Sequence, residues 1–139
     1  MPTIRAKANL ESLPVIRDYV LNVAHQAKIT GEVPPKLDLV LEEVLVNVAS
    51  HAYGPDGGDV EVTCTVIDTP DSDSRIFRFE MRDWGSHFNP LKTDMPDTTA
   101  DIDDRQIGGL GLLLVTTLAD KCEYTRQGDM NVLTLFFNV

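Results

Sequence analysis

The stretch Leu41-Glu42-Glu43-Val44-Leu45-Val46-Asn47-Val48-Ala49 constrains the fold more than any other part of the chain. As a helix it is apolar around most of its circumference, and such a helix has to be buried. Leu37, Leu41, Val44 and Val48 supply its packed face. Glu43, Asn47 and His51 follow one another at i, i+4 spacing and so form one ridge along the same helix. A carboxylate and a carboxamide on a buried helix cost desolvation energy unless a polar group meets them. Two outcomes are open: the rest of the protein satisfies them, or they face a ligand site.

The chain has 139 residues, read as one domain spanning 1–139 with a core of useful size. A formal net charge of -10 repels nucleic acid and anionic lipid, which disfavours both as partners. No apolar run is long enough to span a bilayer, and Met1-Pro2-Thr3-Ile4-Arg5 does not lead into a signal-type core, so a cytoplasmic protein is expected. Cys64 and Cys122 sit in strand-like alternations and read as free thiols buried as small hydrophobes. There is no CxxC pair or Cys/His cluster to support a zinc site.

Along the chain the hydrophobic period changes twice. Ile4, Ala6 and Ala8 alternate with Arg5 and Lys7, a short first strand over Thr3–Ala8 with a basic outer face. Ser12 offers a helix N-cap ahead of Pro14, and Leu13, Ile16, Val20, Val23 and Ala27 carry a first helix to about Lys28. Gly31 and Pro34-Pro35 break it; the second helix, with Glu43 and Asn47, ends near Tyr53 at the turn Gly54-Pro55-Asp56-Gly57-Gly58. Period two then takes over in Val60–Val66 and Phe77–Arg82, joined by a polar loop at Asp68–Ser74. Thr93–Asp104 is acidic and reads as a surface segment. A third helix over Leu110–Leu118 precedes two strands, Cys122–Arg126 and Asn131–Val139, which turn at Gln127-Gly128-Asp129. The order β-α-α-β-β-loop-α-β-β predicts an α+β two-layer sandwich, a mostly antiparallel sheet with its helices on one face.

Two further segments carry chemistry. Asp83-Trp84-Gly85-Ser86-His87-Phe88-Asn89-Pro90 begins where a strand ends. Its aspartate can accept a hydrogen bond from an exocyclic amine, and Gly85 lets the backbone approach a planar ring; an Asx turn closed by Gly and Pro is the plain alternative. Gly108-Gly109-Leu110-Gly111 precedes an apolar helix and can present backbone N–H groups to phosphate, or can serve only for close packing.

These elements, in this order, resemble the GHKL (Bergerat-fold) ATP-binding superfamily, and within it the small anti-sigma-factor serine/threonine kinases of the RsbW and SpoIIAB type. Glu43-Val-Leu-Val-Asn47-Val-Ala-Ser-His51-Ala52-Tyr53 is similar to the family's N box, Asp83-Trp84-Gly85 with Phe88-Asn89-Pro90-Leu91 to its first glycine box, and Gly108-Gly109-Leu110-Gly111-Leu112 to its second. The superfamily commonly has a glycine where His87 stands, and His87 reads as a loop residue.

The resemblance implies a role for each site residue. Asn47 would bind the Mg2+ that bridges the phosphates of ATP, and Glu43 would be the general base toward a serine hydroxyl. Asp83 would accept from the adenine amine, with Gly85 beside the base. Gly108, Gly109 and Gly111 would line the triphosphate, under a lid formed by Thr93–Asp104. His51 either touches phosphate or caps its helix, and Arg105 either meets the γ-phosphate or is a solvated surface residue, as Lys92 is taken to be. Trp84, the one tryptophan, is expected at the adenine pocket. The implied function is phosphorylation of a serine on a small anti-sigma-factor antagonist, with a sigma factor as second partner and a homodimer as the assembly. The competing reading is a nucleotide-sensing module that binds a regulatory partner without turnover.

Overall fold

The period-two stretches become the strands of one antiparallel sheet, and the period-3.6 stretches become two helices laid across one of its faces. The computed structural model describes residues 3–69, 74–90 and 115–139. Its strands are β1 (Ile4–Lys7), β2 (Asp59–Asp68), β3 (Arg75–Asp83), β4 (Lys121–Gln127) and β5 (Met130–Asn138). Its helices are α1 (Leu13–Gln26) and α2 (Val33–Asn47), and residues 115–118 form a further helical turn. The rest of the helix expected over 110–118 lies outside the described residues. The strand order is β1-β2-β3-β5-β4, with every pairing antiparallel. This is the expected α+β architecture.

The sheet's inward rows explain the alternation. Val60, Val62 and Cys64 of β2, Phe77, Phe79 and Met81 of β3, and Leu135 and Phe137 of β5 are all at most 1% exposed. They meet Ile16 and Val20 of α1 and Leu37, Leu41 and Leu45 of α2 in one continuous core. Each large side chain removed from water there contributes about 1.5–3 kcal/mol. The outward rows are polar. Arg5 pairs with Asp59 at 3.1 Å and Glu61 at 3.2 Å, Lys7 pairs with Asp59 at 3.1 Å, and Arg82 reaches Glu61 at 3.5 Å and Glu80. The basic face expected of β1 is therefore neutralised within the sheet, and Lys7 and Arg5 hold the Asp59 carboxyl below its ordinary range.

Helix ends differ from the sequence expectation in two places. Ser12 stands at the N-cap of α1 but makes no side-chain cap there; the Asn9 side chain takes the Ser12 N–H at 3.1 Å instead. Pro34 and Pro35 do not terminate a helix. They occupy the first turn of α2, where a missing N–H costs nothing. Among the described residues no helix is long and apolar enough to cross a membrane.

The two cysteines are free, as expected. Burial pushes the Cys64 thiol up to about 12, and pushes the half-buried Cys122 upward as well. In a thiol-exchange assay of the native protein at pH 8, Cys122 should react first and Cys64 only on unfolding. Equal rates for both thiols would show that Cys64 is not enclosed.

Candidate functional site

The polar ridge of α2 opens at its C-terminal end. Asn47 is the last residue of α2, is 8% exposed, and lines a pocket between the helix and the sheet. Its carboxamide has no hydrogen-bond partner among the described residues, and an amide buried in that state asks for a ligand or an ordered water. Glu43, one turn earlier, is half-buried and likewise without a partner among the described residues, and it is not part of the pocket wall.

His51 leaves the ridge. After Asn47 the helix widens into a π turn, Val48–Ala52, closed by the Tyr53 N–H on the Val48 carbonyl at 3.3 Å. A π turn holds more residues per revolution than an α turn, so the i+4 position lags behind the line set by Glu43 and Asn47. His51 is exposed, and its ring stacks on Phe88 with centroids 4.9 Å apart and planes at 19°. Through Phe88, which is in the wall, His51 sits at the pocket's outer edge.

The opposite wall is a row of polar side chains across three strands. Asp83 ends the inward series Phe77, Phe79, Met81 on β3, faces Asn131 of β5 in the register, and Asn131 in turn faces Arg126 of β4. Asp83 and Asn131 are each 4% exposed. Asn131 Nδ2 donates to Asp83 Oδ1 at 2.8 Å, and the Gly85 N–H donates to the same oxygen at 3.0 Å. Asn131 Oδ1 accepts from the Tyr124 hydroxyl at 2.6 Å. Burial holds the Tyr124 phenol above its ordinary range, so the hydroxyl remains a donor through neutral pH.

Between these walls Val44, Val48, Met81, Val115 and Leu133 make the lining apolar, and Asn47, Asp83, Tyr124 and Asn131 make it selective. The cavity measures about 20 Å³, room for a single water. A ring ligand requires more room than the pocket has in this conformation. Among the described residues no three His, Cys, Asp or Glu side chains gather to hold a metal ion. A lone carboxamide oxygen at Asn47 nevertheless fits a Mg2+ that takes its other ligands from phosphate and water.

The structure thus brings Asn47 and Asp83 onto one pocket, with Glu43 and His51 beside it. Gly85 packs against the end of the helix. A Cβ there would lie 2.3 Å from the carbonyl oxygen of Ala52, so glycine admits the backbone of the helix end. Trp84 is a correction. It is not in the pocket wall; its ring lies under Arg5, with the guanidinium 4.7 Å from the centroid. Successive extended residues point to opposite faces, so a strand that turns Asp83 inward turns Trp84 outward. Lys92, Thr93–Asp104, Arg105, Gly108, Gly109 and Gly111 lie outside the described residues.

Asn131, Tyr124 and Arg126 were not singled out from the sequence. A signal existed, for Asn131 opens the inward series Leu133, Leu135, Phe137 as a polar residue on an apolar strand face. It is the strand counterpart of Asn47 on its helix.

Comparison with known proteins matches residues 6–137 to the histidine kinase-like ATPase domain. The chain is 31% identical over 141 residues to the serine-protein kinase RsbW of Bacillus pumilus, covering 97% of this chain and 85% of the relative. It is 31% identical over 99 residues to the serine/threonine-protein kinase BtrW of Bordetella bronchiseptica, covering 71% of this chain and 66% of that relative. A solved chain of the SiaB–SiaC complex from Pseudomonas aeruginosa superposes with a TM-score of 0.52 at 13% identity, over 100% of this chain and 90% of the other. That last likeness concerns the fold alone.

Proposed function

The chain belongs to the histidine kinase-like ATPase domain family, grouping there with the serine/threonine kinases RsbW and BtrW, and from this we propose that it transfers the γ-phosphate of ATP to a serine of a small antagonist protein. In the same reading it sequesters a sigma factor in the cytoplasm, as a homodimer of the 1–139 unit, and phosphorylation of the antagonist frees it to do so. The observation that carries the proposal is the meeting, on one pocket, of a buried carboxamide without a hydrogen-bond partner among the described residues and a buried carboxylate from distant parts of the chain.

Each residue then has a task set by its surroundings. Asp83 offers its second oxygen to the adenine amine, since Oδ1 is already engaged by Asn131 and Gly85. Asn47 holds Mg2+ by its amide oxygen. When bound, that ion neutralises charge on the phosphates, most of what phosphoryl transfer asks of a protein. Glu43, a half-buried carboxylate unencumbered among the described residues, takes the proton of the incoming serine hydroxyl. His51, stacked on Phe88, either touches phosphate or caps its helix. The resemblance of their segment to the second glycine box would have Gly108, Gly109 and Gly111 line the triphosphate and Arg105 meet the γ-phosphate.

Calorimetric titration with ATP, with and without magnesium, tests the site. Wild type should bind Mg-ATP more tightly than ATP alone, and Asn47→Ala should bind both alike. Absence of nucleotide binding by folded wild type would refute the proposal.

A further inference from the structure

We propose that Arg126 is a positioning residue for the base-reading carboxylate, acting through Asn131, and that it thereby sets the preference for a 6-amino over a 6-oxo purine nucleotide. The inference rests on the reading of Asp83 given above. Arg126 is not in the pocket wall, and its hydrogen bonds go to residues that shape the site. Its guanidinium holds three carbonyl-type oxygens at once. Nη1 donates to the Gly85 carbonyl at 2.8 Å and to Asn131 Oδ1 at 3.1 Å, and Nε donates to the Gly128 carbonyl at 3.0 Å. A rigid fork of this kind clamps the β4–β5 turn to the corner that follows β3.

Arg126 is one of five partners that fix which way the Asn131 amide faces. Three donors converge on its oxygen: Arg126 Nη1, the Tyr124 hydroxyl at 2.6 Å and the Phe88 N–H at 3.3 Å. Two acceptors meet its nitrogen: Asp83 Oδ1 and the Ser86 carbonyl, each at 2.8 Å. The flipped amide would set its oxygen against a carboxylate and a carbonyl and its NH2 against two N–H donors, so only one orientation is satisfiable. In that orientation both Asn131 N–H groups and its oxygen are fully used. Although Asn131 reaches the pocket, it has no hydrogen bond left to give a ligand.

The consequence falls on Asp83. Its Oδ1 already accepts from Asn131 and from the Gly85 N–H, while Oδ2 has no partner among the described residues. The site therefore offers one fixed, charged acceptor. A 6-amino purine presents a donor to it; a 6-oxo purine presents an acceptor and is repelled. Without Arg126, the Asn131 oxygen loses one of its three donors and the Gly85 carbonyl loses its cation. Two donors and two acceptors still orient the amide, but the corner carrying Gly85 and Ser86 is no longer clamped to the β4–β5 turn, so the Asp83 carboxylate is held less tightly and discriminates less between the two bases.

The test compares ATP with inosine triphosphate by competition on wild type, Arg126→Met and Arg126→Lys. Wild type should prefer ATP. Arg126→Met should lower that preference about tenfold, the scale of a weakened hydrogen bond to a charged group, and leave the inosine nucleotide within about twofold. Arg126→Lys keeps a point charge without the fork and should fall between. Equal weakening of both nucleotides, or an unchanged ratio, overturns the role of Arg126 alone. Equal binding of ATP and inosine triphosphate by wild type overturns it too, because Asp83 is then not reading the amine. Failure of wild type to bind ATP overturns both this inference and the reading beneath it.

Discussion

Glu43→Ala should bind Mg-ATP as tightly as wild type, within about twofold, yet transfer phosphate to the antagonist about 10²- to 10⁴-fold more slowly, the range a positioned general base contributes. The separation follows from where the carboxylate lies. Glu43 is half-buried, touches no hydrogen-bond partner among the described residues, and stands outside the pocket wall that holds Asn47 and Asp83. Its removal orphans no neighbour among the described residues, so the fold should lose little. The measurement is single-turnover transfer of labelled phosphate beside equilibrium binding on the same preparation. Unchanged transfer by the variant would show that the hydroxyl loses its proton elsewhere. Tight binding by wild type with no transfer to any partner would instead favour a nucleotide-sensing module.

What the sequence disclosed, and what it hid, divides along physical lines. Strands were readable because inward and outward positions differ so sharply in polarity: Phe77, Phe79 and Met81 against Arg78, Glu80 and Arg82. Asn47 was readable as a polar residue within an otherwise apolar helix, and Asp83 from the Asp-Trp-Gly segment where a strand ends. Asn131 is the same kind of anomaly, yet its meaning depends on β5 lying between β3 and β4, a pairing that local alternation does not encode. The π turn was hidden as well. Val48–Ala52 reads as one more α turn, and its widening accompanies long-range contacts: Ser86 N–H on the Ala52 carbonyl at 2.7 Å, and the Tyr53 hydroxyl between the Asp59 carbonyl at 2.5 Å and the Trp84 N–H at 2.9 Å. Within that wider turn His51 falls off the ridge that its spacing suggested.

The same contacts make Gly85→Ala the substitution with the largest combined effect on stability and binding. The new methyl carbon would lie 2.3 Å from the Ala52 carbonyl oxygen and 2.6 Å from its carbonyl carbon. Both are backbone atoms in the π turn, so neither can move aside as a flexible side chain would. The corner after β3 has to retreat, and with it go the Ser86–Ala52 bond, the Gly85 N–H on Asp83 Oδ1 and the Gly85 carbonyl on Arg126. Overpacking of this kind costs about 1–3 kcal/mol, and a displaced Asp83 should also weaken ATP at least about tenfold, a loss on the scale of one charged hydrogen bond. Gly57→Ala separates this effect from glycine strain in general. Gly57 has φ +70° with nothing within 4 Å of an added Cβ, so alanine there meets conformational strain and no clash. It should cost about 1 kcal/mol and leave nucleotide affinity unchanged, because the left-handed penalty is local to the turn. Denaturant melts and ATP titrations of the two variants decide the matter. If Gly85→Ala binds ATP as wild type does, the packing of the corner against Ala52 does not hold Asp83 in place, and the carboxylate owes its position to Asn131 alone.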